Sequence, residues 1–421
     1  MELRESFIEK MNRKEETKML TSLALIFIVG MGFGWILKRI HLPNLLGMLL
    51  TGILLGPYVL NLLDNSILGI SADLRQLALI IILTRAGLSL NLEDLKKVGR
   101  PAILMCFVPA CFEIVGMVLL APTLLHISVL DAAILGSVVA AVSPAVVVPK
   151  MLHLMETGYG TQKSIPQLIM AGASVDDVFV IVMFSSFTGL AQGGTLSPVT
   201  FAQIPLSIVT GIIVGAGIGI AFGEIYRWVH VRDSVKVVLL LSISFLLVAL
   251  ETAVKGVVPF SGLLAVMSCG IAVNRRRPEV AARLSLKYSK LWVAAEVLLF
   301  VLVGATVDIQ YAIASGVGAV LVILGALVFR MLGVCVCLLK TQLSNKERLF
   351  CMLAYTPKAT VQAAIGSIPL TMGLSCGPVV LTVAVLAILI TAPLGAFSVD
   401  MTYRRLLQKE PVGGGGGRDS R

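Results

Sequence analysis

The chain has 421 residues, of which 57% are hydrophobic and 14% are charged, whereas soluble domains carry about 25% charged residues. This composition excludes an ordinary soluble globular protein. The net charge of +10 does not indicate nucleic-acid binding, because the basic residues lie in short loops between apolar runs, where they fix membrane orientation.

Apolar runs of about 20 residues recur along the chain, and each is long enough to cross a hydrocarbon core of roughly 30 Å. We therefore predict an all-α polytopic membrane protein with 13 transmembrane helices. The predicted spans are 19–38, 44–62, 72–90, 101–123, 130–152, 166–190, 203–226, 235–253, 258–274, 287–304, 310–339, 348–371 and 378–399.

The loops predict the orientation of these spans. On one side of the membrane, 24 Lys and Arg residues lie in the loops after odd-numbered spans, at the adjoining span ends and in the C-terminal segment. On the other side, the loops after even-numbered spans hold one. The basic side is cytoplasmic by the positive-inside rule. Residues 1–18 are then an extracytoplasmic polar tail, and residues 400–421 are a cytoplasmic flexible tail.

The two halves of the chain resemble each other. Glu113 aligns with Arg330, as Gly87 does with Gly304, at a common offset of 217 residues. The ordinal numbers of corresponding spans differ by seven. Because seven is odd, corresponding spans cross the membrane in opposite directions, so the halves lie in opposite orientations. We predict two inverted six-helix repeats, 19–190 and 235–399, joined by a connector helix at 203–226, as in many secondary transporters.

Prolines interrupt matching spans of the two repeats. Span five contains Ser143, Pro144 and Pro149, and span twelve contains Pro357 followed by Lys358. Proline removes a backbone donor and clashes with the preceding turn, so these spans should form crossed discontinuous helices. Freed backbone carbonyls and the Ser143 hydroxyl are candidate cation ligands, and the charge of Lys358 could offset the negative ends of half-helices.

Two adjacent carboxylates, Asp176 and Asp177, lie near the middle of span six. Burial disfavours the charged form of a carboxylate, and a second carboxylate nearby disfavours it further. Such a group can hold a proton and release it when a cation competes. The pattern therefore predicts proton-coupled exchange of a monovalent cation.

Further charges lie within predicted spans. Glu113 and Arg330 have opposite charges at matched positions, and we expect them to form a buried salt bridge. Glu296 is the expected partner of Lys358. Arg85 also lies within a span, and no partner can be assigned to it from the sequence.

Three motifs carry a family resemblance: "GASVDD" from Gly172, "VSPAVVVPKML" from Val142 and "TPKATVQAAIG" from Thr356. Together they resemble the NHA branch of the sodium/proton antiporters, in the monovalent cation/proton antiporter superfamily. The resemblance implies an NhaA-type fold, a homodimer and elevator-type alternating access by a six-helix core domain. It also implies that Asp177 binds Na⁺ or Li⁺ with Asp176 as its companion.

Many relatives carry a lysine where this chain has Arg330. An arginine does not deprotonate in a protein, so a lysine-based proton carrier is not available at this position. The two aspartates suggest exchange of two protons per cation.

The main alternative is a sodium-coupled symporter of an organic anion, which needs more Asn, Gln and Thr than these Ala-, Val- and Ile-rich broken spans supply. An aspartyl protease needs carboxylates facing each other from two helices, so we expect no enzyme. We expect no cofactor beyond the transported Na⁺ or Li⁺ and H⁺. The expected partners are membrane lipid and a second copy, without nucleic acid, in the plasma (inner) membrane.

Overall fold

The computed structural model describes residues 2–40, 42–90, 99–192, 198–229, 231–254, 258–308 and 316–409. In these ranges the chain forms eighteen helices and no β-strand beyond one isolated bridge between Tyr159 and Lys409. The helices are α1 (Glu2–Arg39), α2 (Asn44–Leu55), α3 (Asn65–Gly69), α4 (Ser71–Ser89), α5 (Arg100–Met105), α6 (Val108–Leu125), α7 (Val129–Val139), α8 (Pro144–Thr157), α9 (Ile165–Ala191), α10 (Pro198–Trp228), α11 (Asp233–Ala253), α12 (Gly262–Arg276), α13 (Pro278–Ala305), α14 (Gly316–Cys337), α15 (Asn345–Ala354), α16 (Thr360–Ile365), α17 (Ile368–Thr371) and α18 (Gly377–Leu406).

Within the described ranges, nine helical segments are long and apolar enough to cross a membrane. They coincide with predicted spans one, four to eight, ten, eleven and thirteen. The other four spans fall on helices that are shorter, less apolar or interrupted, such as α2 with 12 residues. The all-helical polytopic membrane fold is therefore confirmed, and the count of thirteen stays a prediction.

The helix ends differ from the predicted tails. Helix α1 begins at Glu2, so the polar tail continues directly into the first span. Helix α18 continues past residue 400 to Leu406, and in this part the Tyr403 ring packs edge-on against Tyr159, with 4.9 Å between ring centroids. A partly exposed ion pair also joins Asp400 to Lys150. Residues 410–421 lie outside the described residues.

The helices pack into two groups. The core group contains α5–α9 and α14–α18, and the scaffold group contains α1–α4 and α10–α13. From the core group, α9 touches α10 and α12, and α16 touches α4 and α13. Each group takes helices from both halves of the sequence, so neither group is complete within one half of the chain.

Glycines allow α10 and α12 to pack closely in the scaffold group. A Cβ on Gly211 would lie 2.7 Å from the carbonyl oxygen of Ser261, and a Cβ on Gly219 would lie 2.8 Å from the Cβ of Ala272. Small residues at this spacing bring helix backbones close together in membranes. The two helices therefore form one continuous wall.

Two helices of the core group are interrupted, and the interruptions meet. Helix α7 ends at Val139 and α8 begins at Pro144, while α15 ends at Ala354 and α16 begins at Thr360. The backbone N–H of Ser143 donates a hydrogen bond to the carbonyl of Pro357 at 2.8 Å. The predicted pair of discontinuous, contacting helices is therefore present.

The two prolines of span five behave differently. Pro144 occupies the first turn of α8, where its missing N–H needs no partner. Pro149 was expected to contribute to the interruption, but α8 continues through it to Thr157. Pro149 comes only five residues after Pro144, so the one intrahelical bond that it removes lies at the start of α8, where the helix tolerates the loss.

Candidate ion-binding site

Asp176 projects from α9 towards the interruption between α7 and α8. Its side chain is fully buried, and its Oδ2 accepts hydrogen bonds from the backbone N–H of Val142 at 2.9 Å and from Nη2 of Arg330 at 2.7 Å. The aspartate thus satisfies a backbone donor that the interruption leaves free. Its Oδ1 is buried and has no hydrogen-bond partner among the described residues.

Asp177, the next residue of α9, has a different environment. Its Oδ1 is buried, and no residue in the described part of the chain donates a hydrogen bond to it. The buried hydroxyl oxygen of Ser143 is likewise without a partner there. Buried polar atoms are nearly always paired, so a proton, a cation or a water molecule is the expected partner of each of these oxygens.

Arg330 on α14 joins the two interruptions. Its Nη1 lies 2.8 Å from Oε2 of Glu113, its Nη2 binds Asp176, and its Nε donates to the carbonyl of Tyr355 at 2.7 Å. Nη1 also donates to the carbonyl of Ala140. Ala140 and Tyr355 are the C-terminal caps of α7 and α15, so the guanidinium offsets the negative ends of both half-helices, and the same role for the charge of Lys358 stays a prediction.

Lys358 lies in the second interruption and is fully buried. Its backbone N–H donates to Oγ1 of Thr391 at 2.9 Å, and its Nζ lies 2.5 Å from Oε2 of Glu113. The predicted pair of Lys358 with Glu296 is therefore wrong, because α6 places Glu113 closer to the interruption. Glu296 interacts electrostatically with Arg85 across α13 and α4.

The formal charges of this network balance without Asp177. Arg330 and Lys358 supply two positive charges, and Glu113 and Asp176 supply two negative charges, through three ion pairs of 2.5–2.8 Å. A deprotonated Asp177 is then the one excess negative charge at the site. One bound proton or one monovalent cation neutralises it.

A resident metal centre does not fit these residues. Across the described ranges, no group of three or more His, Cys, Asp or Glu side chains lies close enough to hold a metal ion. The acceptors near the interruptions are instead carboxylate, hydroxyl and carbonyl oxygens, which suit a weakly bound monovalent cation that enters and leaves.

A cavity of about 720 Å³ lies between the core and scaffold groups. Val175 of α9, the residue before Asp176, lines its core side, and α10 and α12 line its scaffold side. Arg275 and Arg276 at the end of α12 also border it, which places its mouth on the predicted cytoplasmic side. Neither aspartate is among the residues that line the cavity.

Sequence reasoning missed several polar contacts at the interruptions. The side-chain amide of Gln362 donates to the carbonyls of Val139 at 3.1 Å and Ala141 at 2.9 Å, satisfying acceptors at the end of α7. Gln362 belongs to the "TPKATVQAAIG" motif, and a glutamine among apolar residues was the available signal. The cap that Thr391 provides had no signal in the sequence.

The crossed interruptions and the charges buried between them define the class of protein, a secondary transporter of ions. A family model described as "Sodium/hydrogen exchanger, transmembrane" matches residues 22–405. The chain belongs to this sodium/hydrogen exchanger family.

Characterised relatives agree with this assignment. The chain is 37% identical over 387 residues to human sodium/hydrogen exchanger 9B2, an alignment that covers 87% of this chain and 70% of the relative. It is 31% identical over 414 residues to human sodium/hydrogen exchanger 9B1, covering 93% of this chain and 78% of the relative. The predicted membership of the sodium/proton antiporters is confirmed.

A solved structure shares the fold. The sodium proton antiporter MjNhaP1 from Methanocaldococcus jannaschii superposes with a TM-score of 0.81 at 20% sequence identity. The match covers 93% of this chain and 99% of the MjNhaP1 chain. At this identity the likeness concerns the architecture alone.

Proposed function

We propose that this protein exchanges Na⁺ or Li⁺ for H⁺ across a membrane, with proton and cation competing for Asp177. The proposal rests mainly on one observation: Asp177 Oδ1 is buried and unpaired beside a charge network that is balanced without it. Because one carboxylate cannot hold a proton and a cation together, mutual exclusion couples their transport. We propose a transporter that carries out no enzymatic reaction and needs no cofactor.

The same charge balance favours one proton per cation. The sequence suggested two protons, one from each aspartate. Asp176, however, already accepts hydrogen bonds from Arg330 and from a backbone N–H, which favour its charged form. We therefore propose that Asp177 is the group that changes its protonation, which makes the exchange electroneutral.

The other ligands of the cation come from the interruptions. Ser143 Oγ and Asp176 Oδ1 are buried oxygens without a partner among the described residues, and both lie close to the point where α8 begins. Unwound backbone and half-helix ends coordinate Na⁺ in other secondary transporters. We therefore assign Asp177, Asp176 and Ser143 to the transported ion.

Alternating access follows from the two helix groups. We propose that the core group moves as a unit against the scaffold group, which carries the site from one side of the membrane to the other. Two inverted repeats in thirteen spans, a homodimer in the plasma membrane, and an outside N-terminus with a cytoplasmic C-terminus complete the proposed arrangement.

Exchange can be tested in proteoliposomes with a trapped pH-sensitive dye and an imposed proton gradient. Addition of Na⁺ or Li⁺ should dissipate the gradient with wild-type protein and with Asp73→Asn, which alters an exposed aspartate on α4. Asp177→Asn should abolish the response, because an amide does not exchange a proton for a cation. An Asp177→Asn protein that exchanges like wild type would remove this assignment.

The stoichiometry needs a second measurement. Clamping the membrane potential with K⁺ and valinomycin at different values should leave the initial rate unchanged if one proton is exchanged for one cation. A rate that changes with the potential would refute electroneutral exchange. Dependence on an organic anion would favour the sodium-coupled symporter instead.

A further inference from the structure

The cavity between the two helix groups has walls that are chemically unusual for a cation pathway. Its volume is about 720 Å³, within the range of roughly 300–1,000 Å³ that is typical of small-molecule sites. Its lining is mostly aliphatic, with the two arginines at one end. Six of the lining residues are Val175, Ile212, Ala216, Met267, Arg275 and Arg276.

The charged end of the cavity favours an anion. Arg275 is exposed and forms no ion pair with any residue that the structure describes, and Arg276 reaches Glu224 only at 4.0 Å. Two guanidinium groups repel Na⁺ and Li⁺, so they do not serve the proposed transport of cations. They match a carboxylate, which arginine binds through paired hydrogen bonds.

The apolar part of the cavity extends along α12 away from these arginines. From Arg275 to Leu264, which also lines the cavity, the helix rises by about 16 Å. The close packing of α10 on α12 makes this wall continuous. A ligand that fits has one negative head and one long apolar tail.

We propose that the cavity binds a long-chain fatty acid, with its carboxylate at Arg275 and Arg276 and its acyl chain along α10 and α12. The ligand contacts Val175 of the core group and the helices of the scaffold group at the same time. If the core group moves as proposed above, the bound fatty acid holds the two groups together and inhibits exchange. This second part rests on the proposed function, whereas binding itself does not.

Binding is tested by photolabelling the purified protein in nanodiscs of neutral phosphatidylcholine, with a palmitic acid that carries a diazirine in its chain. Mass spectrometry should locate the label on α10 and α12. Arg275→Gln combined with Arg276→Gln should weaken labelling about tenfold, because the carboxylate loses both charged partners. Arg277→Gln removes a neighbouring charge that does not border the cavity and should label like wild type.

Two further probes separate the head from the tail. The matching diazirine alcohol, which has no carboxylate, should label wild type weakly and should not respond to the arginine changes. Ala216→Phe fills the cavity and leaves the arginines in place, so it should reduce labelling by the acid. Size-exclusion chromatography of each variant checks that it is folded.

Several results would overturn the inference. These are equal labelling of the double arginine variant, labelling confined to lipid-facing helices such as α1, and displacement by a two-chain phosphatidic acid but not by unlabelled palmitate. Labelling of α10 and α12 without any cation exchange would support the fatty-acid site and remove the proposed function. Cation exchange without labelling of α10 and α12 would support the proposed function and remove the fatty-acid site.

Discussion

Replacement of Arg330 tests whether the guanidinium, and not merely its charge, holds the two interruptions together. The side chain is fully buried and bonds to two carboxylates and two helix-capping carbonyls. Lysine retains the charge but presents its donors from a single nitrogen. Arg330→Lys therefore loses part of the contact set, and Arg330→Gln loses the charge as well.

The contacts set the size of the expected effects. A buried acceptor left unpaired costs about 1–3 kcal/mol, so Arg330→Lys, which strands the two carbonyls, should cost about 2–6 kcal/mol. Breaking a buried ion pair costs about 3–5 kcal/mol, which Arg330→Gln adds to the loss of the carbonyl bonds. The sum approaches the whole stability of a typical protein, about 5–15 kcal/mol.

The stabilities of wild type, Arg330→Lys and Arg330→Gln can be ranked by thermal unfolding in detergent, followed by fluorescence-detected size-exclusion chromatography. Wild type should melt highest, Arg330→Lys lower, and Arg330→Gln lowest, with little folded protein recovered. Arg100→Gln changes an exposed arginine at the start of α5 and should have the same melting temperature as wild type. The reasoning fails if Arg330→Lys has the melting temperature of wild type, or if Arg330→Gln is as stable as Arg330→Lys.

Three smaller predictions test separate parts of the structure. Ser143→Ala removes a hydroxyl whose oxygen accepts no hydrogen bond, so stability should hold while the KM for Na⁺ rises about two- to tenfold; an unchanged KM, as expected for Ser137→Ala, would exclude Ser143 as a ligand. Gly215→Leu forces a side chain into the backbone of α12 and should cost at least about 1–3 kcal/mol in thermal unfolding, whereas Gly217→Leu meets open space; equal costs would contradict the close packing. Lys150→Ala removes an ion pair that is about one-third exposed, so the melting temperature should fall by an amount corresponding to at most about 1 kcal/mol, and a larger fall would show that the pair holds α18 to α8.

The sequence predicted the architecture well, because membrane spans follow from local composition. Apolar length and proline positions depend on neighbouring residues only, so the helices and the interruptions at Pro144 and Pro357 could be located without tertiary information. Pro149 shows the limit of this rule. Helix α8 continues through Pro149, and helices α6 and α18 continue through Pro122 and Pro393, so the presence of a proline does not by itself show where a helix breaks.

The charge partners were predicted less well, because they depend on how the helices pack. The pair of Glu113 and Arg330 was predictable, since the repeat placed them at matched positions. The pair of Lys358 with Glu296 was chosen only because both charges lie in apolar spans, and the packing of α6 gave Lys358 a different partner. The role of Arg330 in capping two half-helices depends on contacts with backbone carbonyls, which no residue type in the sequence indicates.

The distance along the chain between Glu113 and Arg330, 217 residues, has a consequence for synthesis of the protein. At about 5–20 residues per second, the ribosome needs about 10–45 s to reach Arg330 after it has made Glu113. A charge at bilayer depth costs about 2.5–3.5 kcal/mol on insertion scales, so the first half enters the membrane with carboxylates that have no cationic partner. Assembly of the site is thus a late step, and a chain halted between α9 and α14 presents these groups to cellular quality control.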